Sequence, residues 1–199
     1  MRKSHEERKE EIIHATLYLA ADDKSKKLTT QAIADNLGIS QPTIFKHFKT
    51  SDKLFAAVFE WVSSRIFRVF DVILSNKEDT PDVRLHKLIN AQLAFIATHP
   101  GVPRLIFSNQ VYQGSAKLKN VVQTLMNLYT QKLARLIQEG IESGQYRSSL
   151  NSKDAAQLIS TTIQGLLVRW SIHDFEFDLE KEGVRLLNII KSAIDFHPD

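Results

Sequence analysis

The chain has 199 residues, 43% hydrophobic and 25% charged, with a formal net charge of +3. This is enough apolar material for a folded core of one or two domains, and it excludes a disordered chain. The absence of cysteine excludes disulfide frameworks, thiolate metal sites and cysteine nucleophiles.

Only 7 glycines and 5 prolines interrupt the sequence, which favours helix throughout. No apolar run approaches the roughly 18 residues of a transmembrane helix, and MRKSHEERKEEII lacks the apolar core of a signal peptide. A cytoplasmic protein with no membrane segment is expected.

Helical periodicity recurs in almost every segment and strand-type alternation holds for no more than a few residues, so the chain is predicted to be all-α. The first helix is predicted over 4–22, with Ile12, Ile13, Leu17 and Ala20 inward. Thr29 or Thr30 caps a second helix that ends at Asn36-Leu37-Gly38. Ser40 caps a third, with Pro42 in its first turn. Thr50 or Ser51 opens a long fourth helix to about 75, with Leu54, Val58, Trp61, Val62, Arg65, Val69 and Ile73 inward. Pro81 starts a fifth, which stops at Thr98-His99-Pro100-Gly101. A short helix at 103–109, a long one to about Ser143 and two more, over 151–173 and 179–195, bring the expected total to nine. Three belong to a small domain, 1–49, and six to a larger one, 50–199.

Residues 29–48, TTQAIADNLGISQPTIFKHF, carry the clearest function. Two short helices flank a tight turn, with Ala34 and Gly38 at the expected point of closest approach. Ile33, Leu37, Ile39, Ile44 and Phe48 supply apolar contacts. Ser40, Gln41, Thr43, Lys46 and His47 are polar and can face outward. This is the pattern of a helix-turn-helix, whose second helix enters the DNA major groove. Charge is concentrated around it: residues 24–53 hold six lysines (24, 26, 27, 46, 49 and 53) against two aspartates. Gln41 and Thr43, in the first turn of the third helix, are candidates for adenine and thymine edges, and Lys46 for a guanine edge or a phosphate. Thr29, Thr30, Ser40, His47 and Lys53 are phosphate candidates. Arg2 and Lys3 are candidates for an N-terminal arm on the DNA.

The chain resembles the TetR (tetracycline-repressor) family of bacterial transcription regulators. The resemblance lies in Ile12-Ile13-x-Ala15, Thr29, Ile33-Ala34, Gly38-Ile39-Ser40 and Phe45-Lys46-His47-Phe48, with Leu54 opening the next helix. Gly140-Ile141-x-x-Gly144-Gln145-Tyr146 is a weaker echo. Departures are Lys24, Ala20, Phe45 (usually a Tyr whose hydroxyl touches phosphate) and Ser51 (often Lys); Lys46, Lys49 or Lys53 are candidates for the missing charge.

The resemblance implies a ligand-responsive homodimeric repressor acting on a palindromic operator in double-stranded DNA. It implies that the last two helices of each subunit form a four-helix bundle. Ala156, Ile159, Ile163, Leu166 and Trp170 form one apolar stripe there, and Leu186, Leu187, Ile190 and Ile194 another. It also implies a small-molecule effector pocket between the fourth and eighth predicted helices. The candidate lining is Trp61, Arg65, His86, Phe95, Phe107, Tyr112, Met126, Tyr129 and Trp170. Arg65, on an apolar face, needs an anionic partner or solvent, either a ligand or a structural ion pair.

Two other classes compete. A helical enzyme is disfavoured: His5 and His14 lie nine apart, and no metal-spaced cluster or glycine-rich phosphate loop is present. A protein-interaction module retaining the helix-turn-helix as scaffold is the alternative. No catalytic residue, metal or cofactor is expected.

Overall fold

A computed structural model describes residues 4–22 and 28–195. The basic stretch at Lys24, Lys26 and Lys27 and the proposed arm at Arg2 and Lys3 lie outside the described residues. The described residues form ten α-helices: α1 (His5–Ala21), α2 (Thr30–Asn36), α3 (Gln41–His47), α4 (Ser51–Ser75), α5 (Pro81–Thr98), α6 (Gly101–Ile106), α7 (Asn109–Tyr112), α8 (Ala116–Glu142), α9 (Ser152–Ile172) and α10 (Leu179–Ile194). The tenth arises because the short helix expected at 103–109 is two pieces. The chain turns at Phe107 and restarts from Ser108, whose backbone carbonyl receives the Val111 and Tyr112 N–H groups.

The helices divide into two compact units, residues 1–64 with 98–123, and residues 65–97 with 124–199. These units cut the chain differently from the expected division at residue 49. In the first, α6 lies directly on α1. A Cβ on Gly101 would sit 2.0 Å from the Leu17 carbonyl oxygen, so only glycine permits this approach. Arg104 Nη1 donates to the Ala21 carbonyl at 2.7 Å and caps the end of α1. Ile12, Ile33, Ala34, Ile44, Leu54 and Val58 are fully buried in this unit.

The second unit packs α5, the later part of α8, α9 and α10 around Leu85, Leu88, Ile89, Leu93, Leu133, Ile137, Ile159 and Leu187. The Gly140–Tyr146 segment is a helix stop. Gly144 has φ +75°, the Gln145 N–H returns to the Gly140 carbonyl at 2.9 Å, and the Gly144 N–H returns to Ile141 at 3.1 Å. Tyr146 then folds its ring onto Gly140, where a Cβ would meet it at 2.3 Å. Asp82 gathers this corner: its N–H donates to Gln145 Oε1 at 3.2 Å, and its carboxylate pairs with Lys191 at 2.6 Å.

Burial corrects two sequence readings. Val69 is 47% exposed, not inward, and Phe70 is buried in its place. The stripe assigned to a partner subunit, Ala156, Ile159, Ile163, Leu166 and Trp170, with Leu187 and Ile194, is already buried within one chain. Those side chains form part of the protomer's own core. Leu186 and Ile190 are half-buried.

Candidate nucleic-acid interface

The α2–turn–α3 geometry follows from local chemistry. Thr29 is the N-cap of α2, its hydroxyl accepting from the Ala32 N–H at 3.1 Å. At the other end, Gly38 adopts φ +63°; the Ile39 N–H reaches the Ala34 carbonyl at 3.0 Å and the Gly38 N–H reaches Asp35 at 3.2 Å. That closes the helix with a left-handed residue. Nothing lies within 4 Å of a Cβ on Gly38, so the backbone angle requires glycine there. The expected close approach at Gly38 is corrected accordingly; Ala34 alone is the buried small residue.

Ser40 occupies the N-cap position of α3, but its side chain makes no capping bond. Instead its hydroxyl pairs with that of Thr43 at 2.9 Å. Gln41 Nε2 donates to Thr30 Oγ1 at 2.8 Å. Thr30 is only 8% exposed, so the hydroxyl proposed for phosphate is largely occupied inside the unit.

The outward side of α3 carries Phe45, 38% exposed, and exposed Lys46. Phe48, three residues on, is buried as expected. Lys49 and Lys53 are exposed and share a groove of about 450 Å³ with Lys9, His47 and Phe48. His47 stacks on His5 with ring centroids 4.4 Å apart, and its Nδ1 is buried without a hydrogen-bond partner. Burial first, then the charges of His5, Arg8 and Lys9, hold the His47 imidazole below its ordinary pKa. The structure thus gathers Gln41, Thr43, Phe45, Lys46, Lys49 and Lys53 around α3 and the start of α4. It turns Thr30 inward.

The ligand candidates are dispersed. In the second unit, Tyr129 is buried, donates to Gln92 Oε1 at 2.6 Å and lies beside Phe70 at 6.0 Å. Phe67 completes that aromatic group. Arg65, Phe95 and Met126 are half-buried. His86 is held by the Asp82 carbonyl and by Asn188. Trp170 donates to the Phe177 carbonyl at 2.9 Å and packs edge-on against Phe175, so it fastens the α9–α10 loop. In the first unit, Trp61 is buried between His14 and His99, Phe107 caps α6, and Tyr112 is 63% exposed, which corrects its expected place in a pocket wall.

The anion partner sought for Arg65 has a clearer counterpart in Arg84, which the sequence reading missed. Arg84 is 3% exposed, donates to Glu139 at 2.7 Å and to the Leu74 carbonyl at 3.0 Å. Its signal was a lone arginine among Val83, Leu85 and Leu88.

A short helix held across a tight turn, with Lys46 outward and Lys49 and Lys53 exposed just beyond its end, defines a helix-turn-helix DNA-binding protein. Residues 12–58 match the family described as Bacterial regulatory proteins, tetR family, and residues 66–193 match YsiA-like protein, C-terminal region. The nucleoid occlusion factor SlmA of Idiomarina loihiensis is 21% identical over 176 residues, 88% of this chain and 89% of that protein. The transcriptional regulator FadR of Bacillus subtilis, solved in complex with stearoyl-CoA, superposes with a TM-score of 0.77 at 22% identity, covering 94% of this chain and 99% of that one. A TetR transcription regulator from Haloarcula marismortui gives 0.80 at 20% identity, covering 96% and 100%. The chain belongs to the tetR family of bacterial regulatory proteins. It is a DNA-binding transcriptional regulator of that family, whose members dimerise and answer to small-molecule effectors. Among the described residues no helix is long and apolar enough to cross a membrane.

Proposed function

We propose that this protein is a cytoplasmic, non-enzymatic repressor in which residues 1–49 read an operator and residues 50–199 carry dimerisation and the effector response. The exposed face of α3 is the observation that carries the reading. Gln41, Thr43 and Lys46 meet base edges, and Thr29, Ser40, Lys49 and Lys53 meet phosphates, which supply most of the affinity. Phe45 has no polar atom to offer a phosphate and packs on sugar or a thymine methyl instead. His47, stacked on His5, lies in the same groove as Lys49 and Lys53.

The dimer face lies opposite the buried stripe. On α9, Leu158 and Ile172 are exposed and Gly165 opens to empty space; on α10, Ile189 is exposed beside half-buried Leu186 and Ile190. The effector is placed at the aromatic group of Phe67, Phe70 and Tyr129 in the second unit, where an apolar chain would have to displace packed rings. The similarity to a regulator solved with stearoyl-CoA supports an acyl thioester. An effector acts only through its different affinity for the DNA-competent and incompetent forms.

The test is a mobility shift with genomic fragments at fixed salt, with and without stearoyl-CoA. A palindromic fragment bound at least about a thousandfold tighter than random duplex, and released by the thioester, is the expected result. Equal binding to all fragments would sink the DNA-reading assignment, and release by free coenzyme A alone would sink the acyl assignment.

A further inference from the structure

Thr30 and Gln41 lie eleven residues apart and meet across the turn, and this contact bears on what the protein can distinguish in DNA. Thr30 is the first residue of α2 and nearly buried, so its hydroxyl occupies a fixed place in the first unit. Gln41 is the first residue of α3 and half-buried, and its amide nitrogen donates to that hydroxyl at 2.8 Å. We propose that Thr30 is a positioning residue that holds the Gln41 amide so that it accepts adenine and rejects guanine. The proposal rests on the reading of Gln41 as a base contact.

The argument is one of donor and acceptor accounting. A glutamine amide has two N–H donors and one carbonyl acceptor. Thr30 occupies one N–H, leaving one N–H beside Oε1. Adenine presents one acceptor, N7, and one donor, the N6 amino group, in the major groove. The remaining edge of Gln41 matches that pair. Guanine presents two acceptors, N7 and O6. An untethered amide can turn both N–H groups toward them. A tethered one has a single N–H to give and sets Oε1 against O6. The tether therefore does more than cut the rotamer entropy lost on binding; it removes the amide's second mode of recognition. Ser40 and Thr43 form a separate pair at 2.9 Å and are not part of this device.

The experiment measures affinities of the full-length protein for its selected operator and for every single base-pair change in one half-site. Thr30→Val, Thr30→Ser, Gln41→Ala and the Thr30→Val/Gln41→Ala double variant are compared, with random duplex as reference. Thr30→Val keeps shape and burial but lacks the hydroxyl. It is expected to weaken the adenine-over-guanine preference at the Gln41 position by about 3- to 10-fold, the scale of one hydrogen bond, with random-duplex affinity unchanged. Thr30→Ser restores the preference, and Thr30→Val adds nothing once Gln41 is Ala. An unchanged preference in Thr30→Val, or a uniform loss on all DNA, overturns the proposal while leaving the Gln41 assignment intact. If Gln41→Ala itself leaves every base preference intact, the Gln41 assignment fails and the tether with it. Should Thr30→Val not fold, side-chain NMR of the free wild type decides. A Gln41 amide held in one ordered rotamer supports the tether, and one averaging freely among rotamers overturns it.

Discussion

Gly38 and Gly140 show how one residue type answers two different demands. Gly38 has open space around it and is fixed by its φ of +63°. Gly140 is helical and is fixed by the Tyr146 ring lying where a Cβ would project. Gly38→Ala is expected to cost about 1–2 kcal/mol through left-handed strain alone, and Gly38→Asn less. Gly140→Ala should instead displace Tyr146 and loosen the corner around Asp82. Thermal unfolding ranks the three, and near-UV circular dichroism separates the Gly140 variant by its tyrosine signal.

The first demand was legible in the sequence, because Asn-Leu-Gly before a Ser-Gln-Pro start is a local signal. The second was not, because the ring returns on the helix only after the chain has turned. The same limit applies in the DNA-reading unit. The identities of Gln41, Thr43 and Lys46 were legible from their place in α3. Their partners were not: Thr30 for Gln41 and His5 for His47 lie on other helices, beyond any helical period.

At the level of helices, α4 explains the misassigned Val69. Its buried side is set first by Leu54, Val58 and Trp61, and then passes to Phe70. The unit boundary falls after Ser64, so the helix changes neighbours partway along. A single periodic stripe drawn through all 25 residues follows the first set of neighbours into the territory of the second. The end of α4 is held by Arg84, which donates to the Leu74 carbonyl and pairs with Glu139, itself bonded to Lys77 at 2.8 Å.

Burial pushes the Glu139 carboxyl up, but the hydrogen bonds from Lys77 and Arg84 outweigh it and hold its pKa below the ordinary value. A carboxylate with a lowered folded pKa stabilises the protein above its unfolded pKa. That stabilisation fades as the pH falls through the folded pKa. Glu139 is 39% exposed, so solvent screens the pair, and Glu139→Gln is expected to cost about 1 kcal/mol at pH 7, mainly by leaving buried Arg84 without its counter-charge. Its unfolding curve should converge on that of the wild type at acid pH. Chemical denaturation of both proteins across pH 3 to 7 checks this, and a constant gap over that range would contradict it.

For the molecule as a whole, α9 has two apolar sides, one buried in the chain and one exposed, and the proposed dimer uses the exposed one. A core stripe and an interface stripe share the same composition and spacing, so the sequence marked the more regular one and could not say which side water reaches. The single chain answers that: Ala156, Ile159 and Ile163 are inside, while Leu158 and Ile172 are outside. Gly165 lies on the outer side with nothing near it. Gly165→Leu should leave the protomer folded, and even gain about 1 kcal/mol of helix propensity, yet block close approach of a second copy. Sedimentation at micromolar concentration is expected to show dimers for the wild type and monomers for the variant. A dimeric variant would move the interface elsewhere.

The interleaving of the two units also has a consequence for how the chain is made. The first unit draws on residues up to 123, including the α6 turn that Gly101 seats on Leu17. The second draws on residues up to 199, and within it Asp82 waits for Lys191. A ribosome releases the chain from the N-terminus at about 5–20 residues per second. On that clock the helix-turn-helix emerges seconds before the stretch that covers α1. All residues of the first unit are synthesised before those of α9 and α10. Within the second unit, the Asp82 corner therefore stays open until α10 has been made.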